Sequence, residues 1–171
     1  MKKLILFFLL LISNIVWGYQ IKKDSNEYEQ YVRNIVRSNF TRINNIKRWQ
    51  KTEKVTKDGL SSEGGEVTYF YSEKGLEKIL IELMGESGKS VTEFYFLNKA
   101  LSFIYEVDYT YNMPIYMDGF DQKKTKKIER RYYFKENEYF RYLTSETKSP
   151  SDSEKEQKGQ EIIDFYKKII N

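Results

Sequence analysis

The chain has 171 residues, with 29 basic against 25 acidic side chains, and contains neither histidine nor cysteine. Without these two residue types there is no serine–histidine–aspartate triad, no thiol nucleophile, no disulfide and no iron–sulfur cluster. Nearly every zinc site of recognisable spacing is excluded as well. We therefore predict a protein that is not an enzyme and that holds no cofactor or metal.

The first eighteen residues predict an export signal. Lys2 and Lys3 precede an apolar run at 4–16, and Gly18 offers a small side chain for cleavage. The run is shorter than the roughly 20 apolar residues of a membrane-spanning helix. We expect a signal peptide at 1–18, a single domain at 19–171 and a secreted or periplasmic protein. Since there is no cysteine, no lipid anchor is expected.

Helical periodicity marks both ends of the remaining chain. An apolar stripe with helical spacing runs from residue 24 to about residue 46 and consists of Tyr28, Tyr31, Val32, Ile35, Val36, Phe40 and Ile43. A second stripe follows a capping box, which is either Ser151 with Glu154 or Ser153 with Glu156. The stripe consists of Ile162, Phe165, Tyr166, Ile169 and Ile170. We expect both helices to dock on the same face of a sheet.

Aromatic and β-branched runs between the helices predict antiparallel strands. The predicted strands lie near 46–56, 66–72, 76–84, 91–97, 101–108, 128–135 and 138–145. Short links join most neighbouring strands, which is typical of hairpins. The predicted fold class is α+β: an antiparallel meander sheet of six to seven strands packed against N- and C-terminal helices.

An internal repeat occurs three times among these strands. Each copy has three consecutive aromatic residues, at 69–71, 94–96 and 132–134. A large apolar residue follows each triplet five positions later: Leu76, Leu101 and Tyr139. The copies are offset by 25 and 38 residues, which is too irregular for a solenoid or a propeller. We interpret each copy as one β-hairpin of a single sheet.

This pattern resembles small secreted bacterial proteins of unknown function that carry repeated aromatic hairpins. The resemblance covers roughly residues 61–143. It implies an exported, non-catalytic protein and assigns no catalytic residue.

Alternation along the strands divides the aromatic residues between the two sheet faces. The first and third members of each triplet share a face, whereas Phe70, Tyr95 and Tyr133 point to the other. If two helices cover one face, the second face exposes aromatic rings that can stack on sugars or anchor proteins. The alternative is a sheet whose second face is also covered.

The longer offset before the third copy predicts an insertion at 109–127. Loops of this length are uncommon inside compact domains and are often functional. Six cations lie within residues 123–131, at the end of the insertion and in the strand that follows. They either form a solvated loop and sheet edge or contact an anionic surface. The candidate binding residues are Tyr111, Tyr116, Phe120, Lys123, Lys124, Lys126, Lys127 and Arg131.

The expected function is that of a binding or structural module acting through an aromatic sheet face and this loop. The expected partner is a protein or an envelope polysaccharide. Without the two lysines of the signal the net charge is about +2, which does not favour nucleic acid. A carboxylate-based glycan hydrolase is the alternative, because Glu66, Glu93 and Glu129 precede the three triplets and could be neighbours on one face.

Overall fold

The structure is a computed structural model that describes residues 26–57, 59–61 and 63–170. The predicted signal peptide at 1–18, its cleavage position and the predicted start of the first helix at residue 24 lie outside the described residues. Among the helices of the described part, none is both long and apolar enough to cross a membrane.

Helices flank a run of seven strands. The N-terminal helix consists of α1 (Asn26–Tyr31), a π-helical segment (Val32–Val36) and α2 (Arg37–Asn44). The strands are β1 (Lys51–Lys57), β2 (Gly65–Ser72), β3 (Gly75–Gly85), β4 (Gly88–Leu97), β5 (Ala100–Thr110), β6 (Lys126–Lys135) and β7 (Glu138–Thr144). The C-terminal helix is α3 (Asp152–Ile170).

The seven strands form one sheet in the order β1-β2-β3-β4-β5-β6-β7, and every neighbouring pair is antiparallel. The predicted α+β meander is therefore confirmed. Strands β5 and β6 extend further into the predicted insertion than expected, because Thr110 pairs with both Gly88 and Lys126. The connecting loop is shortened to 111–125.

The sequence repeat is a structural repeat of three hairpins. In each hairpin the third aromatic residue pairs with the apolar residue five positions later: Tyr71 with Leu76, Phe96 with Leu101 and Phe134 with Tyr139. The register then shifts, which leaves one residue of the return strand as a bulge: Glu77, Ser102 and Phe140. The hairpin interpretation is confirmed, and the repeated bulge adds a feature that the spacing did not reveal.

Tight turns set the register of these hairpins. Asn98 and Lys99 have φ of 52° and 69°, and Glu136 and Asn137 have φ of 53° and 70°. Two consecutive residues in the left-handed region form a type I′ turn, whose twist matches that of the strands it joins. The first hairpin instead places Gly75, with φ of 102°, at the start of its return strand.

The two helices lie on opposite faces of the sheet, so the expectation that both dock on one face is wrong. On one face, Ile162 and Ile169 of α3 pack on a buried cluster that includes Phe94, Phe96 and Phe134. On the other, the N-terminal helix packs on the middle aromatics Tyr95 and Tyr133 with Phe103 and Phe140. Alternation gives each face its own buried aromatics, and each set requires a cover.

The N-terminal helix departs from the predicted stripe at one position. Ile35 is 42% exposed instead of buried. It lies in the π-helical segment, where the Arg37 N–H donates to the Val32 carbonyl five residues earlier and one extra residue rotates the helix face. Asn39 is consequently buried, and its Nδ2 donates to the Phe96 carbonyl at 2.9 Å.

A buried polar network links α2 to the first hairpin. The bulge residue Glu77 accepts hydrogen bonds from the Arg42 guanidinium at 2.6 and 2.9 Å and from the Ser72 hydroxyl at 2.6 Å. The Arg42 guanidinium also donates to Asn39 Oδ1 at 2.8 Å. The hydrogen bonds from Arg42 lower the pKa of Glu77 in spite of its burial. A buried carboxylate is tolerated here because each oxygen has a partner.

Replacing Glu77 tests this network. We expect Glu77→Gln to lower the free energy of unfolding at neutral pH by about 3 kcal/mol, because Arg42 then loses its charge partner. The folded-state pKa of Glu77 is lowered, so its contribution is complete above the unfolded pKa of about 4.3 and is lost as the pH falls through the folded value.

The difference in free energy of unfolding between the parent and Glu77→Gln should therefore be smaller at about pH 3 than at neutral pH. Urea denaturation at the two pH values measures it. Glu73→Gln, at the exposed turn of the same hairpin, is the matched control and should change stability by less than about 0.5 kcal/mol. If Glu77→Gln loses the same amount of stability at both pH values, the ionised Glu77 carboxylate does not stabilise the fold as described.

Helix α3 crosses its face from β7 towards β1 and approaches β7 closely at Gly159. A Cβ at Gly159 would lie 2.5 Å from the Tyr139 ring, whose hydroxyl donates to the Lys155 carbonyl at 2.8 Å. At the other end of α3, the Ile169 carbonyl accepts from Lys57 Nζ at 2.7 Å and from the Tyr69 hydroxyl at 3.1 Å. The glycine is required by this close approach.

We expect Gly159→Ala to destabilise the protein by about 1–3 kcal/mol through overpacking against Tyr139. Intrinsic helix propensity alone would favour alanine by about 1 kcal/mol, so the sign of the change separates the two effects. The measurement is the free energy of unfolding, with the exposed Gln160→Ala as control. An alanine variant as stable as the parent would show that this contact is looser than described.

Candidate functional site

The N-terminal helix covers only one end of its sheet face. It contacts the strands near the hairpin turns, where Phe40 packs on Tyr95 and Phe103 and Tyr28 packs on Phe140. Alternation and register place a second group of residues on the same face beyond the helix. We call this group the open face: Leu80, Glu82, Met84, Lys89, Val91, Glu93, Tyr105, Tyr109, Lys127, Glu129, Arg131 and Leu143.

Two tyrosines on β5 are the aromatic residues of the open face. Tyr105 and Tyr109 are both partly exposed. The Arg131 guanidinium lies over the Tyr105 ring at 5.6 Å, and Lys89 Nζ lies over the Tyr109 ring at 5.0 Å. Cation–π contacts of this kind hold a charged group against a ring and keep both near water. The arrangement combines flat apolar surface with charge.

Glu129 connects the cations of the open face. Its carboxylate lies 2.7 Å from Lys127 Nζ and 2.5 Å from the Arg131 guanidinium. The hydrogen bond from Lys127 lowers the pKa of Glu129, and the same contact raises the pKa of Lys127. Burial and Glu129 raise the pKa of Tyr105, so its hydroxyl stays protonated. At neutral pH the open face therefore offers rings, cations, a carboxylate and a phenolic donor together.

The 111–125 loop is held by its own side chains. Tyr111 and Phe120 meet edge to face, with ring centroids 5.5 Å apart. Asn112 Nδ2 donates to the Gly119 carbonyl at 3.1 Å, and its Oδ1 accepts from the Asp121 N–H at 3.0 Å. Two of the predicted binding residues, Tyr111 and Phe120, thus form the internal packing of the loop.

The loop exposes three consecutive apolar residues, which we call the loop tip. Ile115, Tyr116 and Met117 are 55%, 69% and 51% exposed. The tip is attached to the β3–β4 turn, because the Tyr116 hydroxyl donates to Glu86 Oε2 at 3.0 Å and the Ile115 N–H donates to the Glu86 carbonyl at 3.2 Å. Sequence reasoning singled out Tyr116 and missed its two neighbours, although their apolar run was visible.

The predicted cations divide between two surfaces. Lys127 and Arg131 belong to the open face, as described above. Lys123 and Lys124 lie on a 3₁₀ turn (Gln122–Lys124), and Lys126 begins β6; all three are exposed. We call these three the loop lysines, and no ion pair involving them occurs within the described chain.

The three carboxylates considered for hydrolysis do share a face, but they are not brought together. An intervening strand separates each from the next, which places neighbouring members about 10 Å apart or more. Each is bound to a cation: Glu66 lies 2.6 Å from Lys54, and Glu93 contacts Lys78. Glu129 contacts Lys127 and Arg131. The arrangement offers no carboxylate pair around an empty cleft of the kind that glycosidases use.

A second charged cluster lies on the opposite face beside α3. The Arg130 guanidinium contacts Glu106 at 2.6 Å, Asp108, and Glu146 at 3.0 Å, at the floor of a recess of about 380 Å³. Burial raises the pKa of Glu106, and this outweighs the bonds from Arg130. The cluster connects β5, β6 and the segment before α3, so its charges are used inside the fold.

Comparisons with family models, with curated proteins and with solved structures give no match to the chain. The resemblance to secreted aromatic-hairpin proteins therefore stays a prediction. Within the described residues there is also no group of three or more side chains suited to hold a metal ion. The function of the open face and the loop is therefore inferred from their side chains alone.

Replacing Asn112 tests whether the loop is held as described. In Asn112→Ala both side-chain hydrogen bonds are lost, and we expect amides of the 111–125 loop to exchange roughly tenfold faster. Global stability should change by less than about 1 kcal/mol, because the loop lies outside the core. Hydrogen exchange read by mass spectrometry measures both, with Gln122→Ala in the same loop as control. Unchanged exchange in Asn112→Ala would contradict the assignment.

Proposed function

We propose that the protein is an exported, non-enzymatic binding module that takes an envelope polysaccharide on its open face. The observation that supports this most directly is the pair Tyr105 and Tyr109, partly exposed on one strand, each with a cation over its ring. Export rests on the predicted signal peptide. Tyr109 and Lys127 are the two ends of the predicted 109–127 insertion, so the proposal keeps that region as part of the site.

The shape of the surface favours a polymer. Tyr105 and Tyr109 are four residues apart on β5, which separates their attachment points by about 13 Å. Several sugar units of an extended chain span that distance. The open face is a strip across neighbouring strands, on which a long ligand can lie along its length.

The chemistry of the surface favours a sugar that carries carboxylates. Tyrosine rings supply the flat apolar contact that sugar rings need. Arg131 and Lys127 supply charged donors for carboxylates and hydroxyls, and Glu129 supplies an acceptor for hydroxyl donors. Lys127 and Glu129 are ionised at neutral pH, because the pKa of Lys127 is raised and that of Glu129 is lowered by their contact.

The proposal is tested with a double variant of the two rings. We expect Tyr105→Ala with Tyr109→Ala to weaken binding to polygalacturonate roughly 10- to 100-fold, taking about 0.5–1.5 kcal/mol for each ring. Isothermal titration with the chain from Tyr19 onwards measures this, with neutral dextran as the uncharged comparison. That chain retains every helix and strand that the structure describes.

The matched control is Tyr71→Ala, because Lys51 Nζ lies over the Tyr71 ring at 5.4 Å outside the open face. This variant should bind polygalacturonate as tightly as the parent. The proposal is wrong if the parent binds neither polygalacturonate nor purified cell-wall polysaccharide. It is equally wrong if the double variant keeps its circular dichroism spectrum and full affinity.

A further inference from the structure

We propose that the loop tip and the loop lysines dock the protein on an anionic lipid bilayer surface. The loop tip and the loop lysines include no residue of the open face, which they border at Met84, so the inference goes beyond polysaccharide binding and does not depend on it. The tip supplies the apolar contact, and the lysines supply the charge. Both lie on one loop at the end of the sheet where β3 turns into β4.

The apolar part of the surface is continuous and exposed. Ile115, Tyr116 and Met117 follow one another in the chain, and each has more than half of its surface in water. Met84, 48% exposed, lies at the end of β3 that leads into the same turn. A contiguous exposed apolar group on a folded surface marks a site of interaction.

The tip is held in place before any partner arrives. Tyr116 and Ile115 are bonded to Glu86, and the Met117 N–H donates to the Pro114 carbonyl at 3.0 Å. Behind the tip the loop is closed by its internal aromatic pair. A preformed tip loses little conformational freedom on docking, which favours a weak but specific surface contact.

The loop itself carries more lysines than acidic residues, whereas Glu86 and Glu63 lie at the β3–β4 turn beside the tip. Residues 109–127 contain four lysines and two aspartates. Asp121 accepts from the Lys123 N–H at 2.9 Å, and Glu86 is bonded to the Tyr116 hydroxyl. The loop lysines have no such partner within the described chain, and they are available to an anionic ligand.

An anionic bilayer satisfies both parts at once. Its headgroups attract lysines within a Debye length, and the acyl boundary accepts the apolar side chains. The lysine stems can lie along the interface while their ammonium groups stay among the headgroups. A carboxylated polysaccharide would neutralise the lysines but would leave Ile115 and Met117 in water, which is why the bilayer is the occupant we propose.

The first test is vesicle co-sedimentation with the chain from Tyr19 onwards. We expect binding to vesicles of equal phosphatidylglycerol and phosphatidylcholine, and little binding to phosphatidylcholine alone. Replacing the three loop lysines with glutamine should lower the partition coefficient roughly 100-fold, at about fivefold per lysine. The same change at Lys47, Lys74 and Lys99, which are exposed away from the loop, is the matched control and should have a much smaller effect.

The second test reports insertion of the tip. Tyr116→Trp in a Trp49→Phe background places the sole fluorophore of this kind in the tip. Its emission should shift to the blue with anionic vesicles but not with polygalacturonate. Ile115→Ser with Met117→Ser should lower vesicle binding at least about tenfold without changing the melting temperature. Ile35→Ser, at an exposed apolar position on the other end of the sheet, is the control.

The outcomes separate this inference from the polysaccharide proposal. Absent vesicle binding, or vesicle binding that neither set of loop variants reduces, overturns the bilayer inference alone. Binding of polygalacturonate that depends on the loop lysines, with no blue shift on vesicles, also overturns it in favour of a soluble anionic polymer. Vesicle binding that survives in the Tyr105→Ala, Tyr109→Ala double variant leaves the bilayer inference intact whatever the polysaccharide result.

Discussion

Hairpin register is the constraint on which the rest of the structure depends. In each of the three hairpins the third aromatic residue faces the residue five positions later, and left-handed turn residues fix that pairing in two of them. A slip of one residue would move every aromatic ring to the other face. The register therefore decides which rings meet α3 and which meet the N-terminal helix, and it aligns the tyrosines of β5 with the cations of β4 and β6.

Most of the aromatic content is structural, and the surface available for binding is what the helices leave uncovered. The helix made of α1 and α2 ends at Asn44, so it covers the hairpin-turn end of its face and no more. The open face consists of what remains, and the 111–125 loop borders it. The candidate site is accessible because the cover is incomplete, since a helix long enough to reach Tyr109 would have buried it.

The fold could be predicted from the sequence to a large extent, because strands, helices and hairpins each have a local sequence pattern that indicates them. The side of the sheet on which each helix docks depends on tertiary packing, and the prediction that both helices share one face was wrong. Ile35 was misplaced because the π-helical segment adds a residue that an ideal helical period does not include. The candidate site was predicted in part. The contact between Tyr111 and Phe120 spans a loop without periodicity, and the separation of Lys127 from the loop lysines depends on where β6 begins.

Both helices are held on the sheet by contacts between residues that lie more than a hundred positions apart in the chain. Lys135 bonds to Glu27 across 108 positions, and Lys57 bonds to the Ile169 carbonyl across 112. Neither face can therefore be fully covered until the final hairpin and the final helix are present, and contacts of such separation form slowly. In synthesis from the N-terminus, the first helix emerges before any of the strands on which it packs, and its docking is complete only when the last hairpin has followed.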